Sequence, residues 1–239
     1  MAKDYQYVGI ELDLFAQVTN WNAYIKSEIG RYIKGHVLEV GAGIGGITRI
    51  FFTGREESWT CLEPDKELFQ RLTKSMEQLF FNKNELLKAI RGNIDYPALN
   101  RKFDTILYID VLEHIENDEL EIIKAARKLE KNGCLVVLAP AHQFLYSPFD
   151  AKIGHFRRYH RKRLIAIRPA DTMLLRMRYL DSVGCLASLG NKIILRASIP
   201  TKKQIILWDR WMVPLSRIFD SAFGHKIGKS IYIVWQKKT

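Results

Sequence analysis

The segment Val37–Leu38–Glu39–Val40–Gly41–Ala42–Gly43–Ile44–Gly45–Gly46 constrains this chain more than any other. An apolar run of strand length passes directly into a glycine-rich turn, and the residues after it open a helix. Such a unit belongs in a parallel sheet, with the turn at the carboxyl end of the strand. Glycines at 41, 43 and 46 satisfy the G-x-G-x-x-G spacing of a dinucleotide site, although glycines also serve simply to make a tight turn. Glu39 separates the ligands. Beside a pyrophosphate its carboxylate would be repelled by roughly 4 kcal/mol, taking two like charges about 4 Å apart at an effective dielectric of about 20. A ligand carrying an ammonium and a sulfonium would be attracted. The segment favours S-adenosylmethionine over NAD, and an NAD-binding oxidoreductase is the alternative.

Further apolar runs of strand length follow at Trp59–Glu63, Leu87–Arg91, Phe103–Ile109 and Cys134–Ala139. Between them Leu68, Leu72, Met76, Leu79 and Phe80 repeat with a helical period, and Leu120, Ile123 and Leu129 do so less regularly. Leu12–Ile33 reads as a helix ahead of the first strand. This alternation predicts an α/β, Rossmann-like doubly wound sheet, mostly parallel, with helices on both faces and ligands at the carboxyl ends of the strands. Beyond it, Pro140–Arg163 is loop-like. Met173–Leu180 and Ser230–Trp235 read as two more strands around a mostly helical, apolar stretch at 184–223. The 239 residues are read as one domain: an N-terminal helical cap at 1–34, a cofactor-binding core at 35–140, an acceptor loop and helical insertion at 141–229, and a last strand at 230–239.

Charge is unevenly spread. Residues 151–239 hold 19 Lys/Arg against 4 Asp/Glu, whereas the rest of the chain holds 18 against 22. The basic third suits an acidic partner such as phosphate, nucleic acid or an anionic membrane surface, or is simply a solvated face. The N-terminus has acids where a signal peptide needs an apolar run, and the longest charge-free run, Asn132–Phe149, contains Pro140, His142, Gln143 and Pro148. The chain is expected in the cytoplasm, or peripheral to the membrane. Cys61, Cys134 and Cys185 lack metal spacing and read as small buried hydrophobes. The six histidines show no ligand grouping with Cys, Asp or Glu, so no metal is expected.

Supporting residues fall where a nucleoside ligand needs them. Glu63 ends the second strand and can accept from both ribose hydroxyls. Asn93 and Ile94, after the third, can bond the adenine amino group and cover the ring. Asp110, after the fourth, places an acid beside the cofactor pocket, and His114 reads as structural. At these residues the chain resembles the class I S-adenosylmethionine-dependent methyltransferases, of methyltransferase type 11/12. The matching pieces are LEVGAGIGGIT, CLEPD, GNIDY, FDTILYIDVLEHIEND and NGCLVVLAPAHQ, over about residues 35–142. The resemblance implies a seven-stranded sheet whose last strand is antiparallel. It also implies that Glu39 with Gly41, Gly43 and Gly45 holds the methionine portion, Glu63 the ribose, and Asn93 with Ile94 the adenine. Many relatives carry Asp where Asn93 stands; Asn still accepts through its carbonyl, without charge assistance.

The segment Pro140–Asp150, continuing to Gly154–His155–Phe156–Arg157–Arg158–Tyr159, is too rich in aromatic and titratable side chains for a plain connector. It resembles bacterial methyltransferases associated with cell-surface polysaccharide glycosyltransferases, which carry a similar PAH…LY.P.D…GH.RRY stretch. That implies a small, sugar-linked or lipid-carrier-linked acceptor. O-methylation needs a base, for which His142 and His155 are the candidates. Arg157 and Arg158 could grip a phosphate or carboxylate, and Tyr146 and Tyr159 could stack on a sugar. The run Arg157–Arg163 also fits nucleic acid, keeping an RNA methyltransferase as a rival. From Trp208, apolar positions 211, 212, 215, 219 and 222 share a helical face flanked by Arg210 and Arg217. Packing on the chain's own domain is the simpler reading of that face, and an anionic membrane interface the other.

Overall fold

The computed structural model describes Tyr7, Leu12 and residues 18–79, 85–190 and 201–239. Seven strands form one sheet: β1 (His36–Val40), β2 (Ser58–Glu63), β3 (Leu87–Arg91), β4 (Phe103–Ile109), β5 (Leu129–Pro140), β6 (Thr172–Leu180) and β7 (Ser230–Lys237). Their order is β3-β2-β1-β4-β5-β7-β6. β1 pairs in parallel with β2 and β4, and the outer pairs β2–β3 and β4–β5 are parallel as well. β7 runs antiparallel between β5 and β6. The carboxyl ends of β1, β2, β4, β5 and β6 therefore lie along one edge, and β7 begins there.

The strand sequences are near-continuous apolar runs because both faces of the sheet are covered. Leu38, Val40, Leu62, Ile106, Tyr108, Val137 and Ile233 pack on one face with Ile122 and Ala125 of α4 (Asp118–Arg127). Val37, Trp59, Cys61, Leu107, Val136 and Val234 pack on the other. There they meet α1 (Asn20–Ile29), α2 (Gly46–Phe51) and α3 (Lys66–Leu79). All three cysteines are buried and free.

Departures from expectation are local. α1 starts at Asn20, and residues 13–17 of the expected Leu12–Ile33 helix, like Phe80 of the next, lie outside the described residues. In α4 the buried positions are Ile122, Ala125 and Ala126, while Leu120 is exposed. The i, i+3, i+4 stripe runs through alanines. Leu129 opens β5 instead of closing the helix.

Beyond β5 come α5 (Pro148–Lys152), α6 (Arg161–Ala166), α7 (Ser182–Gly190), α8 (Lys202–Leu207), a π turn (Trp208–Met212) and α9 (Val213–Ala222). Here the expected packing face is reversed. Asp209, Val213, Ser216 and Asp220 point inward, while Trp211, Leu215, Ile218 and Phe219 face outward. The buried carboxylates explain the choice. Asp209 accepts from the backbone N–H groups of Thr19 (3.0 Å), Asn20 (3.2 Å) and Trp21 (2.9 Å), capping α1 across nearly 190 residues. Asp220 accepts from Tyr24 Oη (2.8 Å) and from the N–H groups of Asp181 (2.7 Å) and Ser182 (3.0 Å). These charge-assisted bonds fix the rotation of the C-terminal helices, so the apolar stripe has no place inside.

Candidate active site

The glycine turn after β1 forms the first wall of the edge. Gly41 has φ +69°, and a Cβ there would lie 2.7 Å from Val111 Cγ2, so only glycine fits. Gly43 has φ +57°, and its backbone N–H donates to Glu63 Oε2 at 2.7 Å. The N–H of Asp65 donates to Glu63 Oε1 at 2.9 Å. Glu63 thus ties the turns after β1 and β2 together at the edge. Burial pushes its carboxyl up to about 7, against the pull of those two N–H groups. Gly45 precedes α2 at its N-cap.

Glu39 lies beneath the turn rather than in it. Its Oε2 accepts from Thr48 Oγ1 (2.7 Å) on α2 and from Trp59 Nε1 (2.8 Å) on β2. Its Oε1 is buried without a partner. Burial pushes the carboxyl up to about 7, opposed by the Thr48 and Trp59 bonds. A fixed surface carboxylate is therefore not what the turn presents. The orphaned oxygen and the glycine concavity nevertheless fit a ligand with an ammonium group, which would supply the absent donor.

Asn93 is exposed, and its Oδ1 accepts from the N–H of Asp95 at 3.1 Å, closing an Asx turn. Ile94, expected to cover an adenine ring, is fully buried in the core with Leu62 and Ile90, so it has no face left for a ligand. Asp110 follows β4 with φ +53°, His142 follows β5 with φ +65°, and Asp181 follows β6 with φ +68°. Three non-glycine residues in the left-handed region, after β4, β5 and β6, mark stored strain along one edge of the sheet, a common mark of functional sites.

His142 sits between aromatic rings, with centroids 4.8 Å from Tyr179 and 5.0 Å from Phe144. Its Nε2 is buried without a partner. Burial lowers the imidazole pKa, against a backbone hydrogen bond at Gly228 that raises it. Lys229 lies beside it, with Nζ 5.0 Å from the Trp208 ring centroid. Burial lowers its ammonium pKa, while the Asp181 carboxylate raises it.

The loop after β5 corrects several expectations. Tyr159 is fully buried, donating to Leu112 O (3.1 Å) and Asp118 Oδ2 (3.0 Å), so it offers no stacking face. Arg158 grips Asp150 of its own loop, Nε to Oδ1 at 2.9 Å and Nη2 to Oδ2 at 3.0 Å, instead of an acceptor anion. Arg157 donates to the carbonyls of Ile115 (2.7 Å) and Glu116 (2.6 Å) and pairs with Asp118. Tyr146 donates to His155 O at 2.6 Å. Arg163 is paired with Asp118, which leaves Arg161 and Lys162 exposed in the basic run expected to meet nucleic acid. The guanidinium groups satisfy buried acids, as burial requires.

His155 places Nδ1 3.0 Å from Asp150 Oδ1 and Nε2 3.8 Å from Glu113 Oε1. Asp150 is held well below the usual carboxylate range: burial raises it, but bonds from His155, Arg158 and Ser147 outweigh that. Burial and the neighbouring Asp110 push Glu113 up. Burial lowers His114 to about 4, aided by His155. Glu113, His114 and His155 bring one ligand atom each within 4.8 Å of one another, a grouping the spacing did not reveal because the third member comes from another loop. Glu113, Asp150 and Lys229 escaped the sequence reading. Glu113 and Asp150 stood in quoted segments and Lys229 just ahead of the last strand, but only tertiary contacts give each a partner.

Residues 38–136 match the family model of a methyltransferase domain. No curated protein matches the chain. Among solved structures, an S-adenosylmethionine-dependent methyltransferase from Clostridium acetobutylicum is 9% identical, with a TM-score of 0.59 and 96% of each chain covered. Coclaurine N-methyltransferase, bound to N-methylheliamine and S-adenosylhomocysteine, is 14% identical at a TM-score of 0.60, covering 90% of this chain and 72% of that one. The [4+2]-cyclase SpnF is 13% identical at 0.62, covering 97% and 95%. At these identities the likeness establishes the fold alone, and SpnF illustrates how one fold hosts different chemistry. The family match, running from β1 into β5, identifies residues 38–136 as a methyltransferase domain, on a fold shared with S-adenosylmethionine-dependent methyltransferases.

Proposed function

We propose that this enzyme methylates a sugar oxygen of a lipid-carrier-linked acceptor while docked on an anionic membrane surface. The observation that carries the reading is the reversed C-terminal face. Leu207, Trp211, Leu215, Ile218 and Phe223 are exposed, Ile218 by 67% and Trp211 by 61%. Lys202, Lys203, Arg210, Arg217 and Lys226 are exposed around them. Scattered apolar residues are ordinary on a surface, but a basic-rimmed cluster with tryptophan suits the headgroup boundary. Each basic residue near anionic lipid adds about 1 kcal/mol. No helix among the described residues is long and apolar enough to cross a membrane. The stripe also lies close to the strand edge: Trp208, three residues before Trp211, donates to Asp181 Oδ2 at 2.7 Å and contacts Lys229.

In this reading Glu63 receives the ribose hydroxyls, Asn93 the adenine amino group, and the turn of Gly41, Gly43 and Gly45, with the orphaned Oε1 of Glu39, the methionine portion. Asp110 borders the same pocket. When bound, S-adenosylmethionine supplies a methyl group already activated on a sulfonium. The chain's own task is to align the acceptor, exclude water and take the hydroxyl proton. His142 is the proposed base. Its Nε2 has no competing partner, and its lowered pKa keeps it neutral near pH 7. His155 is held by Asp150 and faces Glu113, which makes it the lesser candidate.

The test pairs two measurements. Sedimentation should bring the protein down with vesicles containing anionic phosphatidylglycerol but not with pure phosphatidylcholine. A variant carrying Trp211→Ser, Ile218→Ser and Phe223→Ser should stay in solution. With a methyl-labelled donor and fractionated cell extract, label should enter the lipid fraction. Absence of vesicle binding, or label confined to nucleic acid or to water-soluble products, overturns the reading.

A further inference from the structure

We propose that Glu113, His114 and His155 form a binding site for a divalent transition-metal ion, with Asp150 orienting His155. The two loops that carry the ligands are fixed to one another. Phe156 N–H donates to Glu113 O at 2.8 Å, and His155 N–H donates to Asp150 O at 2.9 Å. Glu113 is 1% exposed and its Oε2 has no hydrogen-bond partner, an expensive arrangement unless something else satisfies it. His155 does not, because 3.8 Å from Nε2 to Oε1 is too long for a hydrogen bond.

The surroundings have the character of a ligand shell. Asp150 Oδ1 engages His155 Nδ1 at 3.0 Å, and its own position is set by Ser147 and Arg158. This leaves Nε2 directed at Glu113, the carboxylate–histidine arrangement that fixes ring orientation and tautomer at metal centres. His114 lies against Gly154, and its ring stands edge-on to His155 at a centroid distance of 4.6 Å. Asp110 adds negative potential beside Glu113.

Two imidazoles and one carboxylate suit Zn²⁺ or Co²⁺ rather than Ca²⁺ or Mg²⁺, which prefer all-oxygen shells. Tetrahedral coordination with bonds of about 2.1 Å needs ligand atoms about 3.4 Å apart. The three atoms, within 4.8 Å of one another, would close by up to about 1.4 Å through side-chain rotation. Three protein ligands leave a fourth position open. If the O-methylation reading holds, an acceptor oxygen there would lose its proton more readily; the metal titration below stands whether or not it does.

The test uses the full-length protein, stripped with a chelator and dialysed. Titration with CoCl₂ should give visible d–d absorption saturating at one equivalent, displaced by ZnCl₂. Glu113→Gln and His155→Ala should each weaken the Co²⁺ affinity at least about 100-fold, since each removes a direct ligand and loss of a mere orienting partner already costs 10–100-fold. His142→Ala should leave it unchanged. Circular dichroism and S-adenosylhomocysteine affinity confirm that each variant is folded, and His114→Gln replaces any that is not. Absence of a saturable Co²⁺ spectrum in the wild type, or an unchanged one in folded variants, overturns the proposal.

Discussion

Glu39 permits a quantitative test of how the glycine turn is built. Its carboxyl has three donors on Oε2 (Thr48, Trp59 and, weakly, the Cys61 thiol), none on Oε1, and a pKa raised by burial from 4.5 to about 7. The folded protein therefore holds this proton more tightly than the unfolded chain does. Stability from this group is present below pH 4.5 and is lost as pH rises through about 7. At 1.36 kcal/mol per pH unit, the loss is on the order of 3 kcal/mol. Glu39→Gln keeps the shape and an acceptor for Thr48 and Trp59 but has no proton to lose. Urea unfolding of ligand-free wild type and variant at pH 5, 6, 7 and 8 measures the difference, in which Glu63 and the other acids largely cancel. The variant should gain on the wild type by on the order of 2–3 kcal/mol between pH 5 and 8. A difference that stays flat with pH would show that Glu39 is ionised throughout, and the reasoning from burial would fail.

Other outcomes follow from the same contacts. Glu63→Ala should weaken S-adenosylhomocysteine binding by about 1–3 kcal/mol in calorimetry, the range for hydrogen bonds to a charged partner. His142→Ala should lower kcat by about 10²–10⁴ while leaving that affinity unchanged, and a loss under tenfold removes it as the base. Asp209→Ala strips the acceptor from three N–H groups at the start of α1 and should cost about 2 kcal/mol in thermal unfolding. Arg158→Ala leaves Asp150 buried beside only His155 and Ser147. It should destabilise the fold by about 3 kcal/mol without the selective rise in acceptor KM expected of a substrate contact.

What the chain shows on its surface as a string is period and punctuation. Apolar runs bounded by turns located all seven strands, and Gly41 and Gly43 marked the turn that opens α2, because strand length and glycine conformation are local properties. Glu63 was legible for the same reason: it is the last residue of a strand whose end must lie beside that turn. The acidic partners of Arg157, Arg158 and Arg163 were not legible, since a free basic patch and a set of buried ion pairs have the same composition. Ile94 read as a ligand-facing residue because adjacency to Asn93 does not reveal which way a side chain turns after a strand. The apolar stripe at 211, 215 and 219 was visible, but its direction was not.

The sequence by itself determined the strands and the glycine turn that joins the first of them to a helix, both consequences of local backbone geometry. Only the tertiary structure decided which charges are spent internally, which histidines stand with a carboxylate, and which helix face meets solvent. Those outcomes depend on groups up to 190 residues apart competing for the same buried space.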